Sequence, residues 1–183
     1  MVKYTLKVVM NMSELLAPAG NYDAFIAAIN AGANAVYIGL NSFSARAYAN
    51  NFTIDEIKNL VEYAHLRNVK VFVTMNTIIF QDELPLAYST IDELAKANID
   101  AIIIQDIALL DYVNKHCPQM EAHASTQMGL DDSYGVFEVN DLGANALNPI
   151  FLSLLSATYV LRISITVATL FIPARPTVEA TLP

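Results

Sequence analysis

Apolar and polar positions follow two alternating periods along the chain. Apolar residues recur at spacings of three and four in 22–29 and in 57–64, which is typical of amphipathic helices. Short, continuously apolar runs follow them at 35–38, 70–74 and 101–104. Such runs are typical of strands buried in a parallel sheet between layers of helices. The pattern therefore predicts an α/β fold.

The same junction recurs four times between a predicted helix and the next strand. In each case a Gly or Asn is followed by one apolar, one polar and two apolar residues, beginning at Gly32, Asn68, Asn98 and Gly143. Gly and Asn are the residues that most readily adopt the left-handed conformation that ends helices. We therefore expect a helix to end and a buried strand to begin at each junction.

Helix starts are less uniform than helix ends. Thr53-Ile-Asp-Glu56 has the sequence of a capping box, in which the Thr hydroxyl and the Glu carboxylate satisfy free amides. Thr90-Ile-Asp-Glu93 has the same spacing, although its helix could already have begun near Asp82. The first segment predicts a helix start, and the second leaves two positions open.

Counting the strands places the chain between two architectures. With further strands at 14–17, at 121–125 and from Ala146, the chain has about six parallel strands with helices outside. A complete barrel of eight strand–helix units needs about 250 residues, and this chain has 183. A smaller doubly wound sheet remains an alternative, but we expect a partial TIM-type (β/α) barrel.

Charge divides the chain into unlike parts. Of 10 Lys and Arg and 18 Asp and Glu, only Arg162, Arg175 and Glu179 follow Asn148. All six glycines precede this point. We therefore predict an N-terminal extension at 1–12, a partial (β/α) barrel at 13–148 and an irregular, divergent apolar tail at 149–183.

Charge and cysteine content limit the partners, compartment and cofactors. The net charge of −8 argues against broad attraction to nucleic acid, although a local RNA contact is compatible with it. The lone Cys117 suffices for neither an intrachain disulfide nor an iron–sulfur site. We expect a cytoplasmic protein with no iron–sulfur cluster in this chain, and the cofactor is unknown.

One apolar stretch, 150–172, has the length of a membrane span. It carries Arg162 near its middle, and a central Arg costs about 2.5–3.5 kcal/mol on membrane-insertion scales. The first residues also lack the apolar run of a secretory signal. We therefore expect neither secretion nor a membrane partner.

Candidate chemistry lies where strands end, because the carboxyl ends of parallel strands carry the sites of α/β folds. The predicted catalytic residues are His123, Ser125 and Asp106. His123 could act as a general base, bind a metal or be held structurally, and Asp106 could simply cap the next helix. No metal site is predicted.

Substrate-binding candidates occupy similar positions and are Arg46, Asn76, Gln105 and Gln127. Arg46 would suit an anionic or planar ligand, or it could anchor its loop. Asn76 and Gln105 could orient a ligand or each other. Polar residues also occupy alternate positions near 121–127, so on a strand their side chains would line one face. They are Glu121, His123, Ser125 and Gln127.

Several of these segments occur together in one known family. They are Glu14–Gly20, Gly32–Gly39, Phe43–Phe52, Val71–Thr77, Ile104–Asp106 and His123–Met128. Their combination resembles the N-terminal part of peptidase family U32, the collagenase-like peptidases of unassigned catalytic type. The resemblance implies a TIM-type barrel and a peptidase activity. It also implies relatives that assist oxygen-independent hydroxylation of RNA bases or quinone precursors, some with an iron–sulfur cluster. The family's later Glu-x-Phe-x-x-Gly segment, which leads into cysteines, has no counterpart here.

Three functions follow from this reading. The first is a collagenase-like peptidase acting on peptides, expected here as a truncated fragment that is either active or inactive. The second is an accessory protein for RNA base hydroxylation, or for a related prephenate-dependent hydroxylation, that binds a small anionic substrate near Arg46 and contacts RNA through a local patch. The third is a non-catalytic partial barrel. Either an oligomer or a second subunit would complete the site.

Overall fold

A computed structural model describes residues 14–45 and 51–147. The predicted extension at 1–12, the tail at 149–183 with its apolar stretch, and Arg46 lie outside these described residues. The predicted domain boundaries therefore stay predictions.

The described residues form one six-stranded parallel sheet. Its strands are β1 (Leu16–Pro18), β2 (Ala35–Gly39), β3 (Lys70–Met75), β4 (Ala101–Ile104), β5 (Glu121–Ala124) and β6 (Ala146–Leu147). They lie side by side in the order in which they occur along the chain. The register pairs Tyr37 with Phe72, Ile103 with His123, and His123 with Ala146. Parallel neighbours in sequence order are the arrangement of a (β/α) barrel, and the predicted strand count is confirmed.

Five helices alternate with the strands. They are α1 (Tyr22–Asn30), α2 (Ile54–His65), α3 (Leu84–Lys96), α4 (Ile107–His116) and α5 (Ser133–Asp141). A short 3-10 turn, Thr126–Met128, lies between β5 and α5. Among the described helices, none has the length and apolar character needed to cross a membrane.

The junctions that end the helices have the expected geometry. Asn68 and Asn98 both have φ of 56°, and Gly32 and Gly143 have φ of 88° and 101°. The capping box at Thr53 is also present, since the Thr53 hydroxyl accepts from the Glu56 amide and Glu56 Oε2 accepts from the Thr53 amide. Thr90, by contrast, lies inside α3 and donates to the Leu86 carbonyl at 2.8 Å. The second capping sequence therefore does not start a helix, because α3 has already begun at Leu84.

The two faces of the sheet differ in what covers them. Alternate strand residues such as Val36, Val73 and Ile102 pack with Phe25 and Leu94 of the helices in the larger apolar core. The opposite face carries a smaller cluster built on Ala35, Phe72 and Ala101, with Leu16, Tyr37 and Ile103 packed against it. Because side chains alternate along a strand, this inner face also carries Thr74 and His123.

Candidate functional site

A hydroxyl pair joins the end of β3 to the loop after β2. Thr74 Oγ1 lies 3.3 Å from the Ile38 carbonyl, to which it donates, and 2.9 Å from Ser44 Oγ. A hydroxyl has one proton, so Ser44 is the donor to Thr74 when Thr74 donates to Ile38. Both Thr74 and the carbonyl are buried in this arrangement. The pair therefore fixes the start of the β2–α2 loop over the sheet.

Asn76 connects the same loop to β5. Its Oδ1 accepts from the Ala45 amide at 3.1 Å, and its Nδ2 donates to Ser125 Oγ at 3.3 Å. Both ends of the side-chain amide are thus engaged by protein groups. Asn76 lies just after β3. Its side chain therefore joins the β2–α2 loop to the end of β5 at the barrel mouth, the end of the barrel formed by the carboxyl ends of the strands.

Ser125 ends β5 and caps the turn that follows. Its side chain is buried, and Oγ accepts from the Gln127 amide at 3.2 Å as well as from Asn76. Within the described part of the chain, no histidine lies within hydrogen-bond distance of Ser125 Oγ. A serine nucleophile needs a base in that position, and the described histidines do not supply it.

The face predicted from residue parity ends at Ser125. Glu121 and His123 do share the inner face of β5. Gln127, however, lies in the 3-10 turn and its side chain is exposed. The strand alternation stops because Ser125 caps this turn, so Gln127 does not extend the row of polar residues.

His123 is buried in the inner face of the sheet. Its Nε2 lies 2.9 Å from Glu121 Oε2, and its ring meets Phe72 edge-on with centroids 4.9 Å apart. The hydrogen bond from His123 holds the pKa of Glu121 below its usual value, although partial burial opposes this, and the charges of His123 and Lys70 lower the pKa further. Lys70 also lies 3.4 Å from Glu14. His123 is therefore engaged by a carboxylate toward the amino end of the barrel.

Gln105 and Asp106 follow β4 and line a shallow pocket. The pocket has a volume of about 420 Å³ and lies between the β3–α3 loop and the start of α4. Asp106 Oδ1 accepts from the Ala108 and Leu109 amides at 2.8 and 3.2 Å. Asp106 is thus the cap of α4, as the structural alternative predicted, and it also borders the pocket.

The structure brings together only some of the predicted site residues. Asn76 and Ser125 touch, whereas Asp106 and Gln105 line their own pocket and His123 pairs with Glu121. Sequence reasoning missed the Ser44–Thr74 pair. Both residues lie in the strand-end segments that the fold places at the mouth, but only the tertiary structure shows which hydroxyls meet.

The described residues do not suit a metal centre or an iron–sulfur cluster. No three His, Cys, Asp or Glu side chains among them come together as metal ligands. Cys117, the one cysteine of the chain, is buried and lies 3.9 Å from Asp92. Burial, followed by the Asp92 carboxylate, raises the pKa of Cys117. A protonated thiol outside the barrel mouth is not a cluster ligand.

Comparison with known proteins gives a consistent family match. A sequence model of Peptidase family U32 matches residues 20–149. A collagenase of Porphyromonas gingivalis is 38% identical over 125 residues, which are 68% of this chain and 30% of that protein. The tRNA hydroxylation protein P1 of Bacillus subtilis is 35% identical over 126 residues, with 69% and 30% covered. The 23S rRNA 5-hydroxycytidine C2501 synthase of Escherichia coli is 47% identical over 116 residues, with 62% and 17% covered.

A solved structure shows the same fold. The U32 peptidase Mk0906 superposes with a TM-score of 0.65 at 14% identity, covering 80% of this chain and 62% of that one. The chain spans about 30% of the length of the first two curated relatives. The expected partial TIM-type barrel is therefore confirmed.

Proposed function

The chain belongs to peptidase family U32. We propose that it takes part in the hydroxylation of RNA bases and that it binds the RNA at its barrel mouth. The observation that carries this proposal is the environment of Ser125. Its Oγ is held by Asn76 and by the Gln127 amide, in the place where a hydrolase needs a base. The mouth thus resembles a binding surface more than a peptidase centre.

The relatives named for hydroxylation support the same proposal. They act on both tRNA and 23S rRNA by name, and they come from Bacillus subtilis, Helicobacter pylori and Escherichia coli. The family model matches residues 20–149, a range that includes β3, β4 and β5 and the residues that follow them, Asn76, Gln105 and Ser125. Of these three residues, Gln105 has a side-chain amide that makes no hydrogen bond to the described residues, and such an amide suits the hydrogen-bonding edges of bases.

The chemical step needs a partner. Replacing a C–H bond of a base by C–OH adds an oxygen atom and removes two electrons, so an oxygen donor and an electron acceptor are required. With a single buried cysteine, this chain lacks the ligands for an iron–sulfur electron carrier. We assign binding of the RNA to this chain and the oxidation to a second component.

Peptide hydrolysis is the second candidate, because the Porphyromonas gingivalis relative is named a collagenase. A peptidase of this chain would have to recruit a catalytic group other than a Ser125–His pair. Metal-supplemented digestion of gelatin and of unstructured peptides tests this directly. We expect both substrates to stay intact.

The deciding experiment measures modified nucleosides in cells. Deleting the gene should lower the hydroxylated nucleosides of tRNA or rRNA, as measured by mass spectrometry of digested RNA, and the full chain should restore them. Unchanged hydroxylation on deletion would overturn the proposal, and peptide cleavage that Ser125→Ala abolishes would favour a peptidase instead.

A control is needed for the third possibility, a non-catalytic partial barrel. The purified chain should melt in a single cooperative transition in circular dichroism. A gradual, non-cooperative melt, together with RNA hydroxylation that does not change when the gene is deleted, would show a fragment without this function.

A further inference from the structure

The pocket beside Gln105 is separate from the contacts that hold the mouth together. It is lined by Thr77, Ile78, Gln105, Asp106, Ile107 and Ala108. Its volume of about 420 Å³ falls in the range of about 300–1,000 Å³ that is usual for small-molecule sites. The pocket lies at the carboxyl ends of β3 and β4, where (β/α) barrels place their ligands.

Two exposed isoleucines border this pocket from different loops. Ile78, after β3, is 71% exposed, and Ile107, at the start of α4, is 56% exposed. Exposed apolar side chains that border a polar recess are a feature of ligand-binding grooves. They offer apolar surface to a flat ligand that enters between the two loops.

The polar part of the pocket is an amide that has no hydrogen-bond partner among residues 14–45 and 51–147. Gln105 is half-buried, and its side chain makes no hydrogen bond to the described residues. Asp106 uses Oδ1 for both of its helix-capping contacts, and Oδ2 has no hydrogen-bond partner within the described ranges. The pocket therefore offers an N–H donor and a carbonyl acceptor from Gln105, together with a carboxylate acceptor from Asp106.

We propose that this pocket binds a single unpaired nucleobase. A base is flat, so it can use the apolar surface of Ile78 and Ile107, and its edge carries adjacent donors and acceptors that match a glutamine amide. The Asp106 carboxylate disfavours an anionic group and favours an N–H donor such as the cytosine amino group. An aliphatic peptide side chain would leave the Gln105 amide unpaired, which is costly.

This inference rests on the proposed role in RNA base hydroxylation, and it names the residues that hold the base. The direct probe is cytidine, titrated into the full chain labelled with ¹⁵N. We expect the side-chain amide signals of Gln105 to shift saturably. Gln105→Ala should raise the Kd about three- to tenfold, as expected for the loss of one hydrogen bond. Ile78→Ala should weaken binding as well.

The chain offers matched controls at the opposite end of the barrel. Gln119 lines a recess at the amino ends of the strands, and Leu66 is an exposed apolar residue after α2. Gln119→Ala and Leu66→Ala should leave the cytidine Kd unchanged. Equal weakening by either control would overturn the assignment of the pocket, and so would Gln105 signals that stay fixed up to the solubility limit of cytidine.

Two further outcomes separate this inference from the function on which it rests. If N-acetyl-leucinamide shifts Gln105 and cytidine does not, the pocket takes a peptide side chain and the inference is wrong. If the deletion lowers RNA hydroxylation and Gln105→Ala restores it as fully as the wild-type chain, the proposed function stands without this pocket. Cytidine binding combined with unchanged RNA hydroxylation would instead reject the proposed function and keep the base site.

Discussion

Replacing Gly39 by Ala should destabilise the mouth through direct overlap with the β2–α2 loop. A Cβ added at Gly39 would lie 2.5 Å from Asn51 Oδ1 and 2.7 Å from Ser44 Oγ. Real Cβ contacts essentially never fall below 3.0 Å, so both polar atoms must move away. Asn51 Oδ1 is the end of a flexible side chain and can turn away, whereas a move of Ser44 Oγ strains its hydrogen bond to Thr74. The substitution therefore acts on the loop rather than on β2 itself.

The size of the effect follows from two opposing contributions. Overpacking of this kind costs about 1–3 kcal/mol, and replacing Gly by Ala in a strand returns about 0.5–1 kcal/mol of backbone entropy and packing. The net loss is therefore at most about 2.5 kcal/mol. For a chain of this size, each kcal/mol lowers the Tm by about 2–4 °C, so we expect a decrease of up to about 10 °C in a calorimetric melt.

Gly135 supplies the matched control for this substitution. It lies in α5, and a Cβ there would meet its nearest neighbours at 3.4 and 3.6 Å, which are ordinary contacts. Gly135→Ala should therefore raise the Tm slightly. Hydrogen exchange at 41–45 should be faster in Gly39→Ala than in the wild-type chain. If Gly39→Ala melts at or above the wild-type Tm, the close approach of the loop to β2 does not constrain the fold.

Three further substitutions test other contacts of the fold. Thr53→Ala should lower the free energy of unfolding in urea by about 1 kcal/mol because it removes the cap of α2, and Thr53→Ser should retain most of it. Asn76→Ala should lower the free energy of unfolding by about 1–2 kcal/mol, because it removes two hydrogen bonds. Asn76→Asp should be intermediate, because it keeps only the acceptor. Equal stability of the wild-type chain and both variants would contradict this. Glu121→Gln tests pH dependence. The pKa of Glu121 is lowered in the fold, so its stabilisation is present above the usual value of 4.5 and is lost as the pH falls through the folded-state pKa. Unfolding titrations should show the wild-type advantage at pH 7 disappearing in acid, and an advantage independent of pH would refute the role of this carboxylate.

Local patterns predicted the layers of this fold well because their causes are local. The helix ends at Asn68 and Asn98 follow from the tolerance of Asn for positive φ, and both residues adopt it. The cap by Thr53 depends on residues three positions apart. Strand burial similarly follows from runs of apolar side chains. Each of these features can be read within a window of a few residues.

The contacts of the candidate site depend on register and loop path, which local patterns do not determine. Asn76 and Ser125 are 49 positions apart in the sequence. They meet only because β3 and β5 are separated by a single strand, β4, in the sheet. Gln127 left the predicted face because Ser125 caps a turn instead of continuing the strand. The pairing of Ser44 with Thr74 likewise requires the β2–α2 loop to fold back over the sheet.

The sequential order of the strands has a consequence for how the protein is made. Each described strand from β2 onward pairs with the strand synthesised just before it, so among residues 14–147 these pairings need no strand that leaves the ribosome later. The sheet can therefore grow one strand–helix unit at a time during translation, and the newest strand is the growing edge at every stage.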